Sequence, residues 1–405
     1  MRCAARHRFF AAALLVASVL VPVTAAPAAA GPGPAGVVPL HVPWPGTDGL
    51  RGEGLGSDVA ARLDRAVEDV RRQAGIPGVV VGLWMPGRGN YVRATGVADK
   101  ASGQAMADDM YVRIGSETKT FTVTALLRLV EEGRVGLDDP VSDHVDGVPD
   151  GGRITLRQLA EMRSGLFPYS SDPGFDHDFL SDPDRTFTPE ELLAYGYRHP
   201  NTFPPGERFQ YSNSNLILLG LVIEKVTGQG IAEVIEERVV RPAGLRHTVF
   251  PDDARIPDPH PQGYTDQTLN NQVADATGWD PTWAWSAGAM ISNLGDLRSW
   301  AKTVATGTLL NPATQAERLR TLPTGVPGTT YGLGIFDSNG WIGHNGSLPG
   351  YETVTVYLPS RQATLVVLLN TDITYQGQEP SSLVARAVTQ IVTPDHVYGR
   401  PVQGR

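Results

Sequence analysis

The sequence predicts an α/β (α+β) fold: one antiparallel sheet flanked by helices, with an all-helical lobe inserted between its strands. β-rich runs bounded by turn residues occur near both ends of the chain, helical patterns broken by Pro, Asp and Gly fill the middle, and amphipathic helices bracket the whole. With 405 residues, 41% of them hydrophobic and 19% charged, the chain is long enough to bury a large core or two cooperating lobes.

Residues 1–30 read as a secretory signal. Arg2, Arg6 and Arg8 precede the apolar run "FFAAALLVASVLVPV", and small residues offer cleavage after Ala25 or Ala30. That run is short for a bilayer span and leads into a Pro/Gly-rich linker over residues 31–54, so export with cleavage and no stable membrane anchor are expected. "SDVAARLDRAVEDVRRQAG" follows as an amphipathic helix closed by Gly75. "GVVVGLWM" and "NYVRATGVA" then form a hairpin around Pro86 to Gly89. In the next helix Val123, Leu126, Leu127 and Val130 recur at helical spacing, with Phe121 and Leu129 widening the face, which predicts burial nearly all round.

Helical patterns such as "RITLRQLAEM", "TPEELLAYGY" and "NLILLGLVIEKVTG" assign residues 134–286 to the inserted lobe. Residues 55–133 and 287–405 make the sheet domain, whose later strands are "WIGHNG", "GYETVTVYLP" and "RQATLVVLLN", followed by the helix "SSLVARAVTQIV". A cleft between the two parts is the natural place for a site.

Several chemistries are excluded at this level. The sole cysteine, Cys3, lies in the signal, which leaves the mature chain no disulfide, Cys-ligated metal or thiol nucleophile. Loss of the three signal arginines takes the formal charge from −9 to −12, which disfavours nucleic acid and anionic membranes as partners. The acidic loop "DPGFDHDFLSDPD" lacks the glycine and glutamate placement of a calcium loop, and no Gly-x-Ser-x-Gly, phosphate loop or His-Glu-x-x-His motif occurs. No metal or cofactor is expected.

Ser116 and Lys119 in "VRIGSETKTF" stand one helical turn apart. A serine hydroxyl becomes a nucleophile when a base removes its proton, and a lysine serves if burial lowers its pKa. The helix start adds free N–H groups where an oxyanion would form. Taken alone, the pair also reads as an N-capping serine and a solvated lysine. Ser299 and Lys302 repeat the spacing inside a helix and take that plainer reading, but only four lysines occur in the chain. Tyr211 and Asn213, two apart in "FQYSNSNL", would share a face of an extended loop, the phenol to shuttle a proton and the amide to bind a substrate amide. In "WIGHNGSLPGY", His344 offers electrostatics, Gly346 close approach of a ligand and the Ser347 N–H an oxyanion contact. Each of these also has an ordinary structural reading.

Together and in this order, Ser-x-x-Lys, Tyr-x-Asn and a basic residue-x-Gly strand resemble the signature of the penicillin-recognising serine hydrolases. "RSGLFPYS", "WAWSAGAMISN", "YGLGI" and "GHNGSLPGY" extend the likeness from roughly Gly78 to Leu369. They are similar to segments of exported actinobacterial D-alanyl-D-alanine carboxypeptidases and class C β-lactamase-like enzymes. The resemblance implies a β-lactamase/DD-peptidase fold and an acyl-enzyme on Ser116. Lys119 and Tyr211 would handle the proton, the Ser116 and Ser347 amides would hold the oxyanion, Asn213 would bind the substrate amide, and His344 would tune Tyr211 and the leaving-group proton. Trp283 would line the site. A cell-wall muropeptide is the implied substrate, β-lactams the acylating inhibitors, and a monomer the expected form.

The pattern also departs from its relatives. Carboxypeptidases of this kind clamp a terminal carboxylate with an upstream cation and a hydroxyl in the middle of the third motif, where this chain has Phe336, Asp337 and Asn345. An esterase, or a D-amino acid amidase or aminopeptidase, is therefore the alternative enzyme, and a non-catalytic β-lactam or muropeptide binder the alternative of another class. If charged His344 assists, activity should titrate near the ordinary histidine value of about 6.5.

Overall fold

The computed structural model describes residues 54–399. The signal segment and all of the linker but its last residue lie outside the described residues.

Helix α1 (Ser57–Gln73) leads into the hairpin β1 (Gly78–Met85) and β2 (Gly89–Gly96), turned through Gly87 and Gly89 at φ +74° and +111°. A two-residue strand β3 (Val112–Arg113), a 3-10 turn (Gly115–Glu117) and helix α2 (Thr118–Glu131) follow. The lobe then carries α3 (Leu156–Ala160), α4 (Pro173–Ser181), α5 (Pro189–Tyr197), α6 (Asn213–Thr227) and α7 (Ile231–Ile235). Thr155 and Thr188 open α3 and α5 with reciprocal capping boxes to Gln158 and Glu191. Gly228, left-handed at φ +72°, closes α6.

Short strands β4 (Tyr264–Thr265), β5 (Ala274–Asp275) and β6 (Ile291–Ser292) flank α8 (Trp285–Gly288). Helices α9 (Leu294–Thr306) and α10 (Pro312–Arg318) lead to β7 (Leu322–Pro323), β8 (Thr329–Tyr331), β9 (Phe336–Ser338), β10 (Trp341–Leu348), β11 (Tyr351–Leu358) and β12 (Ala363–Leu369), and α11 (Pro380–Val392) ends the order.

Eight strands form one antiparallel sheet in the order β2-β1-β12-β11-β10-β9-β8-β7. Every residue of β11 and β12 is buried, because both faces of the sheet centre are covered. On β11, Glu352 accepts from the Ser381 N–H of α11, whereas Tyr357 packs on Ala301 and Ala305 of α9. Side chains an odd number of residues apart point to opposite faces, so α11 and α9 cover opposite sides. Helix α2 is buried at every position from Thr118 to Leu127, and it packs on α6 and α8. Its polar side chains bond across these contacts: Thr122 donates to the Ser286 carbonyl, and Trp300 of α9 donates to Thr120.

Candidate active site

The segment before Ser116 is fixed from two sides. Val112 and Arg113 pair with Ser292 and Ile291, and the Ile114 N–H donates to the Met290 carbonyl at 2.9 Å. Gly115 then turns the chain at φ +53°, and a Cβ there would stand 2.7 Å from the Ser347 nitrogen. Gly346 is as tightly held, since a Cβ would meet the Ile114 carbonyl oxygen at 1.9 Å. These two glycines let β10 lie directly against the Ser116 turn. Strand β10 pairs with β9 only through Trp341–Gly343, which leaves the edge from His344 to Leu348 facing that turn. Ser116 is 8% exposed in the 3-10 turn that runs straight into α2.

Lys119 is fully buried, with Nζ 2.9 Å from Ser116 Oγ and 2.7 Å from the Ala287 carbonyl oxygen to which it donates. Burial drives its pKa well below the usual lysine value, and no carboxylate among the described residues pairs with it. A neutral amine beside Oγ can accept the serine proton. Ser299 and Lys302 behave otherwise: the Ser299 hydroxyl turns back to the Gly295 carbonyl of α9, and Lys302 is exposed.

The Lys119 ammonium position lies 5.0 Å from the Tyr211 ring centroid. Burial raises the Tyr211 pKa, nearby Ser116 opposes that shift, and the charge of Glu379 adds to it. The Tyr211 hydroxyl still lacks a well-formed hydrogen bond, as does Asn213 Oδ1. Asn213 is the first residue of α6 rather than part of an extended loop, and its Nδ2 reaches Ser170 Oγ at 3.4 Å. The short motif is therefore a strand-like entry followed at once by a helix start. Trp283 is 6% exposed and sits among Phe175 and Phe179, with ring centroids 6.2 and 5.0 Å away, so most of its ring packs inside the lobe.

His344 is buried, with Nδ1 2.6 Å from the Asn345 carbonyl oxygen and Nε2 3.1 Å from the Tyr331 hydroxyl. A carbonyl only accepts, so Nδ1 carries the proton and Nε2 accepts from Tyr331. Burial first, and the charge of Lys119 second, push the His344 pKa down to about 3. The expectation of a histidine titrating near 6.5 is thereby corrected. This imidazole is neutral at ordinary pH, and both its nitrogens are engaged away from Tyr211.

Asn345 points to the opposite face of β10, where Nδ2 donates to Glu379 Oε2 at 2.9 Å. Glu352 of β11 lies beside it, its carboxyl pushed well above the usual range by burial and by the charge of Glu379. Glu117, next to Ser116, is a further buried carboxyl, raised to about 8 by burial.

A family model described as Beta-lactamase matches residues 63–388. The chain belongs to the Beta-lactamase family. It is a serine hydrolase of that family, built on its large antiparallel sheet with flanking helices. A D-stereospecific amidohydrolase from Streptomyces sp. is 31% identical, with a TM-score of 0.74 over 83% of this chain and 99% of that one. A D-amino acid amidase from Ochrobactrum anthropi SV3 is 25% identical, with a TM-score of 0.73 over 83% and 98%. Esterase EstB from Burkholderia gladioli is 28% identical over 389 residues, covering 85% of this family member and 96% of its relative.

Sequence reasoning brought out Ser116, Lys119, Tyr211, His344 and the glycine that admits the Ser347 amide, and the structure places these together. It missed Tyr331, Glu117 and Glu379. Tyr331 begins "YGLGI", whose aromatic-glycine composition signals a turn and not a partner for a histidine 13 residues on.

Proposed function

We propose that this Beta-lactamase family member is an amidohydrolase that acylates Ser116 with D-amino acid amides or related D-configured amides and esters, then releases the acyl group to water. The observation that carries the reading is the fully buried Lys119 amine 2.9 Å from Ser116 Oγ, beneath the β10 edge, where burial favours its neutral form.

As Oγ bonds to the substrate carbonyl carbon, its proton passes to Lys119. The carbonyl oxygen becomes an oxyanion facing the Ser116 and Ser347 amides, whose positions Gly115 and Gly346 fix. Collapse breaks the C–N bond, and the leaving nitrogen takes a proton through Tyr211, which Lys119 can resupply. Water then repeats the sequence on the ester. His344, neutral and bonded to Tyr331, orders this wall without exchanging protons.

Amidase and esterase relatives of matching length support this choice over release of D-alanine from D-Ala-D-Ala ends. Export through residues 1–30, action on cell-wall muropeptides, acylation by β-lactams and a monomeric state belong to the same proposal. The test is ammonia release from D- and L-phenylalanine amide, run beside Ser116→Ala and beside D-Ala-D-Ala peptides. Release from the D-amide that Ser116→Ala abolishes supports the reading. D-Alanine release without amide hydrolysis restores the carboxypeptidase.

A further inference from the structure

An arginine is buried three residues before the nucleophile with no anion to match it. Arg113 is 3% exposed, and among the described residues it forms no ion pair. Its Nη2 gathers three backbone carbonyls, donating to Ala254 at 2.6 Å, Trp279 at 3.2 Å and Thr277 at 3.3 Å. Nη1 is buried and has no partner among the described residues. The aspartates whose charges reach the guanidinium are engaged elsewhere. Asp253 pairs with Arg255 at 2.7 Å, and Asp280 accepts from the Thr282 N–H at 2.7 Å.

Such a group is a poor device for stability. Taking a charge out of water is costly, and carbonyl dipoles offset less of that cost than a carboxylate would. It is a good device for position, because one rigid, planar group carries fixed donors to two separate loops. Arg113 belongs to β3, which has two residues and pairs with Ser292 and Ile291 of β6. So short a ladder holds little by itself. Beyond it the chain runs through Ile114, whose carbonyl oxygen accepts from the Thr353 hydroxyl at 3.2 Å, to Gly115 and Ser116. The Arg113 side chain adds a further direction of support, since it ties β3 to the loops at Ala254 and at residues 277–279.

We infer that Arg113 is a positioning residue for the reaction: its guanidinium fastens β3 to these two loops and so sets where Ser116 Oγ stands between Lys119 and the Ser347 amide. It acts through Ile114 and Gly115 and touches none of the reacting atoms. A misplacement of Oγ by about 1 Å is enough to slow acylation about a hundredfold. The inference concerns the nucleophile, so it holds for an ester as for an amide and does not rest on the choice between them.

Arg113→Met keeps the length of the side chain and removes its donors. With p-nitrophenyl acetate in excess, the burst amplitude counts working sites, and the burst rate constant reports how fast each one acylates. Arg113→Met should keep the wild-type amplitude and lose about ten- to hundredfold in rate constant. Arg113→Lys restores a charge and fewer donors, and its rate constant should fall between the two. A wild-type rate constant in both variants, at whatever amplitude, would mean that Arg113 serves the fold alone and would overturn the inference. Where Arg113→Met does not fold, Arg113→Lys is judged by the same rate constant. Hydrogen exchange gives a reading that needs no turnover. Amides of residues 114–119 should exchange faster in Arg113→Met while those inside α6 keep wild-type rates, and unchanged exchange at residues 114–119 would equally overturn it.

Discussion

The Tyr331 hydroxyl lies 3.1 Å from His344 Nε2, and this contact decides what the histidine can do. With Nδ1–H committed to the Asn345 carbonyl, Nε2 is the one free lone pair of the ring, and Tyr331 occupies it. Burial is the main reason its pKa falls to about 3, with the neighbouring Lys119 lowering it further and the Asn345 carbonyl opposing.

On a neutral ester, wild type and His344→Asn should therefore share one pH–rate shape between roughly pH 5 and 8, whatever their absolute rates. Loss of a limb near 6.5 on replacing His344 would restore it as a titrating group. Tyr331→Phe should leave that shape unchanged as well, because burial, the main cause of the low His344 pKa, stays in place.

Lys119 is the base in this scheme because burial lowers its pKa and favours the neutral amine, not because of its position alone. Lys119→Ala should lower kcat by about a hundred- to ten-thousandfold. Lys119→Arg should fare no better, since a guanidinium keeps its proton in proteins and cannot accept one from Ser116. Acylation followed by intact-mass spectrometry checks both, with melting temperature as the control for folding. A Lys119→Arg protein that acylates at near wild-type rate would refute proton transfer to this side chain.

Much of this was legible before any coordinates, and the boundary has physical causes. The hairpin of β1 and β2, the buried α2 and the late strands all carry long patterns that periodicity resolves, whereas β3 and β6 are two residues each and have no period to detect. Lys119 stood out through its place one turn after the helix-opening serine, the scarcity of lysine and the three motifs taken together, whereas its full burial is a contact property that the sequence does not report. The His344 pKa was not legible, because Tyr331 reaches it through the pairing of β8, β9 and β10, and no local sequence feature reports a contact made by sheet order. Asn213 was misplaced onto an extended loop because the first residue of a helix has no helical neighbours before it.

Gly346 should tolerate no side chain. Its added Cβ would stand 1.9 Å from the Ile114 carbonyl, a backbone atom that cannot rotate away, so β10 would be forced off the Ser116 turn. Gly346→Ala should cost about a hundred- to thousandfold in kcat by displacing the Ser347 amide from the oxyanion position. Overpacking should add about 1–3 kcal/mol of lost stability. Gly278→Ala, where nothing lies within 4 Å of the new atom, is the control and should leave both unchanged. Steady-state kinetics and thermal melting read the two effects, and a fully active Gly346→Ala enzyme would contradict the packing of β10 on the turn.

Glu117 couples the stability of the site to alkaline pH. Both carboxyl oxygens are buried without a well-formed hydrogen bond, although Thr353 and Thr355 lie near enough to favour the charged form slightly. Burial outweighs them and raises the carboxyl to about 8 from its ordinary 4.5. The folded state thus holds a proton that the unfolded chain has already lost over this interval. The associated stability is complete below about 4.5 and declines as pH rises through 8, by several kcal/mol in total. Glu117→Gln keeps the shape and removes the titration. Its melting temperature should fall less steeply than that of the wild type between pH 5 and 9, so that the variant becomes the more stable protein at the alkaline end. Parallel pH dependence in the two proteins would mean that the Glu117 carboxyl titrates at its ordinary value, with water reaching it beside Ser116.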